Sequence, residues 1–71
     1  MARRKYMIHH TPAEYAVDHK DHFSILFLDG RNILGGENWS RAINRSYGTR
    51  EEAEKALREE IGWHGSITKD L

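Results

Sequence analysis

The alternation of apolar and polar positions lays out most of the elements of this chain. In Arg4-Lys5-Tyr6-Met7-Ile8-His9-His10, Tyr6 and Ile8 fall on one side and Met7 on the other, the period-two pattern of a partly buried strand. Thr11-Pro12-Ala13-Glu14 ends it with a capping residue, a Pro suited to a first helical position and a Glu able to reach back, so a short helix over 12 to 18 is expected. The polar run Asp18-His19-Lys20-Asp21-His22 limits that helix to a turn or two. His22 to Leu28 is the best strand, with Phe23, Ile25 and Phe27 on one face and Leu26 and Leu28 on the other, as befits a central position. Asp29-Gly30 predicts a two-residue type I′ turn, because both central positions need positive φ. Arg31-Asn32-Ile33-Leu34 then reads as the returning strand, broken by Gly35-Gly36-Glu37-Asn38.

A fourth extended segment, 39 to 47, alternates so that Trp39, Arg41, Ile43, Arg45 and Tyr47 share one face. After Gly48 comes the clearest element, a helix over about Arg50 to Ile61. Thr49 is its N-cap, with Glu52 three residues on as a capping box. Ala53, Ala56, Leu57, Glu60 and Ile61 follow the i, i+3, i+4 spacing and make a narrow stripe whose small residues favour close packing on a sheet. Glu51 with Lys55 and Glu54 with Arg58 are i,i+4 pairs in the favourable order. Gly62 stops the helix through left-handed φ, and Trp63 can fold back onto the last turn. Residues 65 to 71 read as an edge strand or a disordered tail. The fold class that follows is α+β: one domain over 1 to 71, with a small antiparallel sheet of three to four strands packed by one C-terminal amphipathic helix.

Composition narrows the chemistry. A 71-residue chain without Cys has no disulfide, thiolate nucleophile or thiolate zinc site, so its stability rests on packing or on a partner. The basic start Met1-Ala2-Arg3-Arg4-Lys5 is not followed by an apolar signal core, and the longest apolar run, Ile25 to Leu28, has strand length. A cytoplasmic protein without a membrane role is expected. Formal charge is zero, but residues 1 to 50 carry eight Lys/Arg against five Asp/Glu, and residues 51 to 71 carry three against six. Two faces of opposite sign follow, and the balanced total argues against long duplex DNA as a ligand.

Four histidines, His9, His10, His19 and His22, cluster with Asp18 and Asp21, residue types that ligate zinc and other first-row metals. If the strand ending at His10 pairs with the one starting at His22, these groups meet at one end of the sheet. Solvated loop histidines are the stronger reading, and no metal or cofactor is expected. Ser24, Ser40, Ser46 and Ser66 lack a nucleophile elbow, and Gly35-Gly36 lacks the Lys-Ser/Thr of a phosphate cradle, so no catalytic residue is assigned.

Three readings compete for the Trp39 to Tyr47 face: core beneath the helix, protein interface, and a platform for unpaired bases. As an interface it enlists Trp39, Arg41, Arg45 and Tyr47, joined by Glu51 and Glu54 of the helix, whose acidic outer face could compete for a basic groove. As a nucleic-acid site it enlists Trp39, Arg41 and Arg45 with the arm Arg3, Arg4 and Lys5.

The run from Phe23 to Ile61, with Asp29-Gly30 between strands and a helix opening at Thr49-Arg50-Glu51-Glu52-Ala53, resembles the strand-strand-helix unit of the YegP-like family of small uncharacterised proteins. That resemblance implies an α+β fold and carries no catalytic residues. With a helix at 12 to 18, the order of elements is also similar to a double-stranded-RNA-binding domain, but Arg50-Glu51-Glu52 stands where such domains meet phosphate with lysines. The function expected is that of a small non-catalytic interaction protein that binds and modulates a larger macromolecule, such as an accessory or inhibitor protein of a phage or mobile element. The expected partner is a protein, with nucleic acid as the alternative and a homodimer through an edge strand also open.

Overall fold

The computed structural model describes residues 4–68. Strands β1 (Tyr6–Thr11), β2 (His22–Arg31) and β3 (Glu37–Tyr47) form one antiparallel sheet in the order β1-β2-β3. Helix α1 (Arg50–Ala56) continues without a break into a π-helical turn, Leu57–Ile61, and packs on one face of the sheet. The α+β class with a single C-terminal helix is therefore as the sequence implies, and the sheet has three strands.

Ile8 stands opposite Ile25 in register, and both are fully buried with Ala53 and Leu57 of the helix. Phe23, Phe27, Ile43, Tyr47, Ile61 and Trp63 close around that centre. The small side chains of the helical stripe let its backbone come close to the sheet, as Ala53 and Ala56 suggest in the sequence.

Two irregularities give the sheet its shape. Between the pairs Leu28–Trp39 and Gly30–Asn38, Asp29 is one residue too many on β2, so Asp29-Gly30 makes a bulge and not the expected turn. The ladder runs on to Arg31 opposite Glu37, a cross-strand pair of opposite charge. The chain reverses over 32 to 36 instead. There the Asn32 side-chain oxygen accepts the N–H groups of Leu34 and Gly36, each at 2.9 Å, and Gly35 takes the positive φ of 85°. The expected strand Arg31 to Leu34 is thus the end of β2 plus the turn itself.

The second irregularity lies between the pairs Ser24–Ser46 and Leu26–Arg41, where the single residue Ile25 faces Ala42 to Arg45. Ala42 and Ile43 are adjacent and apolar, and a regular strand would turn one of them away from the core. The bulge brings both against it.

The expected helix over 12 to 18 is reduced to one 3-10 turn, Ala13–Tyr15, capped from outside by Asp21, whose carboxylate accepts the Ala13 N–H at 2.8 Å. Thr11 belongs to β1 and does not cap. At α1, Thr49 Oγ accepts the Glu52 N–H at 3.1 Å, the cap that the sequence indicates. Gly62 ends the helical run at φ 84°, and the Trp63 N–H reaches the Leu57 carbonyl at 3.0 Å. The helix pairs Glu51–Lys55 and Glu54–Arg58 do not form; Lys55 lies 3.9 Å from Glu59, toward the widened last turn. Trp63 folds back past that turn onto Tyr6 of β1, with ring centroids 5.2 Å apart. The tail follows it: the Thr68 N–H donates to the Tyr6 carbonyl at 2.9 Å, a single parallel bridge beside β1. The rest of the expected tail strand, 69 to 71, lies outside the described residues. Among the described residues no helix is long and apolar enough to cross a membrane.

Candidate functional site

The β2–β3 ribbon outruns its support. Just before β1, the Lys5 carbonyl accepts the Leu28 N–H at 2.9 Å, and among the described residues β2 has only β3 paired to it from Asp29 onward. At the end of this two-stranded extension sit Ile33, 100% exposed, and Leu34, 91% exposed. Their backbone is held by the two Asn32 side-chain bonds, by the Asn32 N–H on the Gly36 carbonyl at 2.8 Å and by the Gly35 N–H on the Asn32 carbonyl at 3.0 Å. Two large aliphatic side chains are therefore presented to solvent on a pinned turn. The hydrophobic alternation does not mark this, because Ile33 and Leu34 sit in a run with strand composition. The signal that could have found them is Asn32 with Gly35-Gly36, which makes a better five-residue turn than Asp29-Gly30 makes a two-residue one.

The face proposed from Trp39 to Tyr47 is split by the β3 bulge. Tyr47 pairs with Phe23 and lies on the helix side, whereas Trp39 pairs with Leu28 and Arg41 with Leu26, on the opposite side. Ile43 joins the core. Arg45 is exposed, with Nη1 3.6 Å from Glu60. Trp39 and Arg41 thus share the sheet face that the helix leaves uncovered, Trp39 half-buried opposite Leu28 and Arg41 exposed opposite Leu26. Of the basic arm, Arg3 lies outside the described residues, Lys5 is exposed, and the Arg4 guanidinium lies 4.6 Å from the Phe27 ring centroid on the helix side. The arm and the Trp39–Arg41 pair therefore do not form one continuous basic strip. Glu51 is exposed and Glu54 half-buried on α1.

The far end of the sheet is polar. β1 and β2 do pair as the histidine reading requires, with His10 opposite Phe23 and Thr11 opposite His22. The histidines then diverge. His10 stacks on Phe23 with centroids 4.5 Å apart, its Nε2 3.3 Å from Asp21. His22 Nε2 lies 2.8 Å from both Asp18 oxygens, and its Nδ1 lies 3.0 Å from Ser46 Oγ. His9 is exposed on the strand, and His19 occupies a φ of 58° in the loop. Each aspartate takes one histidine, and among the described residues no three such groups come together to hold a metal.

The Ser46–His22–Asp18 chain has the residue types of an acyl-transfer triad, which spacing alone does not reveal. Its geometry differs from the working arrangement: the ring presents Nδ1 to the serine and Nε2 to the aspartate, the reverse of the serine-protease order. Ser46 and Asp18 are both solvent-exposed. What the chain does is tie the loop to the sheet, and the His22 hydrogen bond holds the Asp18 carboxyl below its ordinary 3.8.

On the helix side, the Tyr47 hydroxyl donates to Glu60 Oε2 at 3.1 Å. Burial first, and then that bond to a carboxylate, raise the Tyr47 phenol above its ordinary 10.0. Comparison with family models, curated proteins and solved structures returns no match.

Proposed function

We propose that this chain is a non-catalytic interaction protein of the cytoplasm that binds a larger macromolecule and modulates its activity, with the β2–β3 tip as its principal contact. The observation that carries this reading is the pair Ile33 and Leu34, held fully in solvent by a hydrogen-bonded turn. Because hydrogen bonds already shape the turn's backbone, docking costs mainly the rotamer freedom of the two side chains, about 0.5–1 kcal/mol each, against a transfer free energy of about 1.5–3 kcal/mol each. Their placement on a two-stranded ribbon lets them enter a recess that the body of the domain could not.

The test is a comparison of the wild-type protein with an Ile33→Ser/Leu34→Ser variant as bait in the native host. The expected result is a macromolecule retained by the first and lost by the second, with both baits melting alike. Equal retention by the two would remove the tip from the interface.

One observation favours nucleic acid as a second reading: Trp39 and Arg41 lie together on the uncovered sheet face, where a ring and a guanidinium can stack on unpaired bases. Binding of labelled single strands that weakens steeply with salt and is lost in Trp39→Ala would favour it over the tip. Binding absent at low salt would end it.

A further inference from the structure

We infer that the groove between α1 and the end of β3 receives an arginine side chain from a basic segment of a protein partner. This rests on the reading of the chain as a protein-binding domain and names the chemistry of a second contact. The groove has a volume of about 310 Å³ and is lined by Tyr47, Glu52, Lys55, Ala56, Glu59 and Glu60. It lies at the other end of the ribbon from the tip: Phe23, the partner of Tyr47, is eight residues from Arg31, or about 25 Å along a strand.

Its walls and rim ask for different things. Ala56 is buried and Tyr47 half-buried, so the floor is apolar. The rim holds the carboxylates of Glu52, Glu59 and Glu60 against the one ammonium of Lys55. Glu60 is fixed in place by the Tyr47 hydroxyl at 3.1 Å and partly neutralised by Arg45 at 3.6 Å. Lys55 reaches Glu59 only at 3.9 Å, with both side chains largely exposed, an ion pair that competes weakly with an incoming cation. Among the described residues the Glu52 carboxylate makes no ion pair or hydrogen bond. The rim therefore has negative charge to spare above an apolar floor.

An arginine fits that arrangement. Its methylene stem suits the Ala56 and Tyr47 surface, and its planar guanidinium can fork to a carboxylate while lying against the phenol ring. A lysine ammonium offers the charge without the fork or the flat face. Nucleic acid and anionic lipid headgroups carry phosphate, which three rim carboxylates repel. A volume near the lower bound for small-molecule sites suits one side chain and not a larger ligand.

The test titrates the full chain with a nona-arginine peptide, an equal-length peptide of citrulline and a nona-lysine peptide, at low salt, reading Kd by anisotropy and the contact residues by NMR shifts. The expected result is binding of the arginine peptide with shifts at Tyr47, Glu52, Ala56 and Glu59, at least tenfold weaker binding of the lysine peptide, and none of citrulline. Glu52→Gln/Glu59→Gln should weaken the arginine peptide by tenfold or more with unchanged melting, while Ile33→Ser/Leu34→Ser leaves it as in wild type. Lysine and arginine bound equally, shifts confined to other surfaces, or an affinity untouched by the double Gln change would each overturn the proposal. Its failure is separable from that of the interaction reading, because partner capture lost with the tip variant would persist even where no peptide binds.

Discussion

The same substitution at two isoleucines of one ribbon separates what the domain uses for itself from what it presents outward. Ile25 is fully buried on β2 against Ile8 and the helix, while Ile33 at the tip is 100% exposed. Ile25→Ala deletes buried methyl groups and leaves a void between sheet and helix, at a cost of about 2–5 kcal/mol. For 71 residues, total stability at roughly 0.05–0.15 kcal/mol per residue is about 4–11 kcal/mol, so the change consumes a large part of it. In a domain of this size each kcal/mol corresponds to about 4–8 °C in Tm. Ile25→Ala is therefore expected to melt at least about 10 °C lower, or to be unfolded at 37 °C. Ile33→Ala removes the same atoms from water, where they touch nothing, and should stay within about ±0.5 kcal/mol, or a shift of less than about 4 °C. Thermal unfolding by circular dichroism, with urea titration as a check, reads both. A loss of more than about 1 kcal/mol in Ile33→Ala would mean that this side chain serves the folded monomer, and the reasoning behind the tip as a docking element would fail.

Three further outcomes follow. Asn32→Ala removes the acceptor shared by the Leu34 and Gly36 N–H groups and should cost about 0.5–1.5 kcal/mol, with faster amide hydrogen exchange at 34 and 36 and weaker partner binding; unchanged exchange at both would show that the turn is not held by this side chain. For Tyr47 the folded phenol titrates above 10.0, so the unfolded chain ionises first and stability drops as pH rises from about 10 toward the folded value. Tyr47→Phe, which also loses the bond to Glu60, should lie about 0.5–1.5 kcal/mol below wild type near neutrality and lack the alkaline decline attributable to residue 47; parallel curves for the two proteins would disprove the assignment. Finally, a fluorophosphonate probe should leave Ser46 unmodified. Labelling of Ser46 that disappears in His22→Ala would refute the non-catalytic reading.

Sequence reasoning located the helix from Thr49 to Gly62 because its signals are local. A cap and a glycine stop act on their own neighbours, and the stripe of Ala53, Ala56 and Leu57 repeats at a single period. β2 was legible from its alternation, whereas the pairing that brings His10 and His22 to one end of the sheet entered the sequence reading only as a condition, which the register meets. What failed involved competition between distant segments. Asp29-Gly30 satisfies a two-residue turn locally, but the hairpin closes at 32 to 36 because that register keeps Arg31 opposite Glu37 and lets Asn32 and Gly35 supply the reversal. The Trp39 to Tyr47 face was drawn by strict alternation, and the core's demand for both Ala42 and Ile43 overrides it. The Ser46–His22–Asp18 chain joins residues 24 and four positions apart across a loop, a juxtaposition that only the register of β2 against β3 creates.

The placement of large aliphatic residues gives the interaction reading its physical weight. The chain holds six Ile and five Leu, few for a domain that has neither disulfide nor cysteine to brace it. Ile8, Ile25 and Leu57 are fully buried, while Ile33 and Leu34 stand at the end of a ribbon that β1 does not reach. Folding gains nothing from those two, and exposed aliphatic groups favour self-association. Burial of both against a partner would recover about 3–6 kcal/mol of transfer free energy, a large share of what micromolar binding requires. A turn that served only to reverse the chain would work as well with polar residues at 33 and 34, since the bonds that shape it come from Asn32, Gly35 and Gly36. The aliphatic side chains are thus independent of the turn's own geometry. If recognition accounts for them, Ile33→Ser/Leu34→Ser will fold, melt as wild type does and remain more soluble at high concentration, while its partner dissociates at least a hundredfold more readily. A variant equal to wild type in binding would leave the two residues without that role.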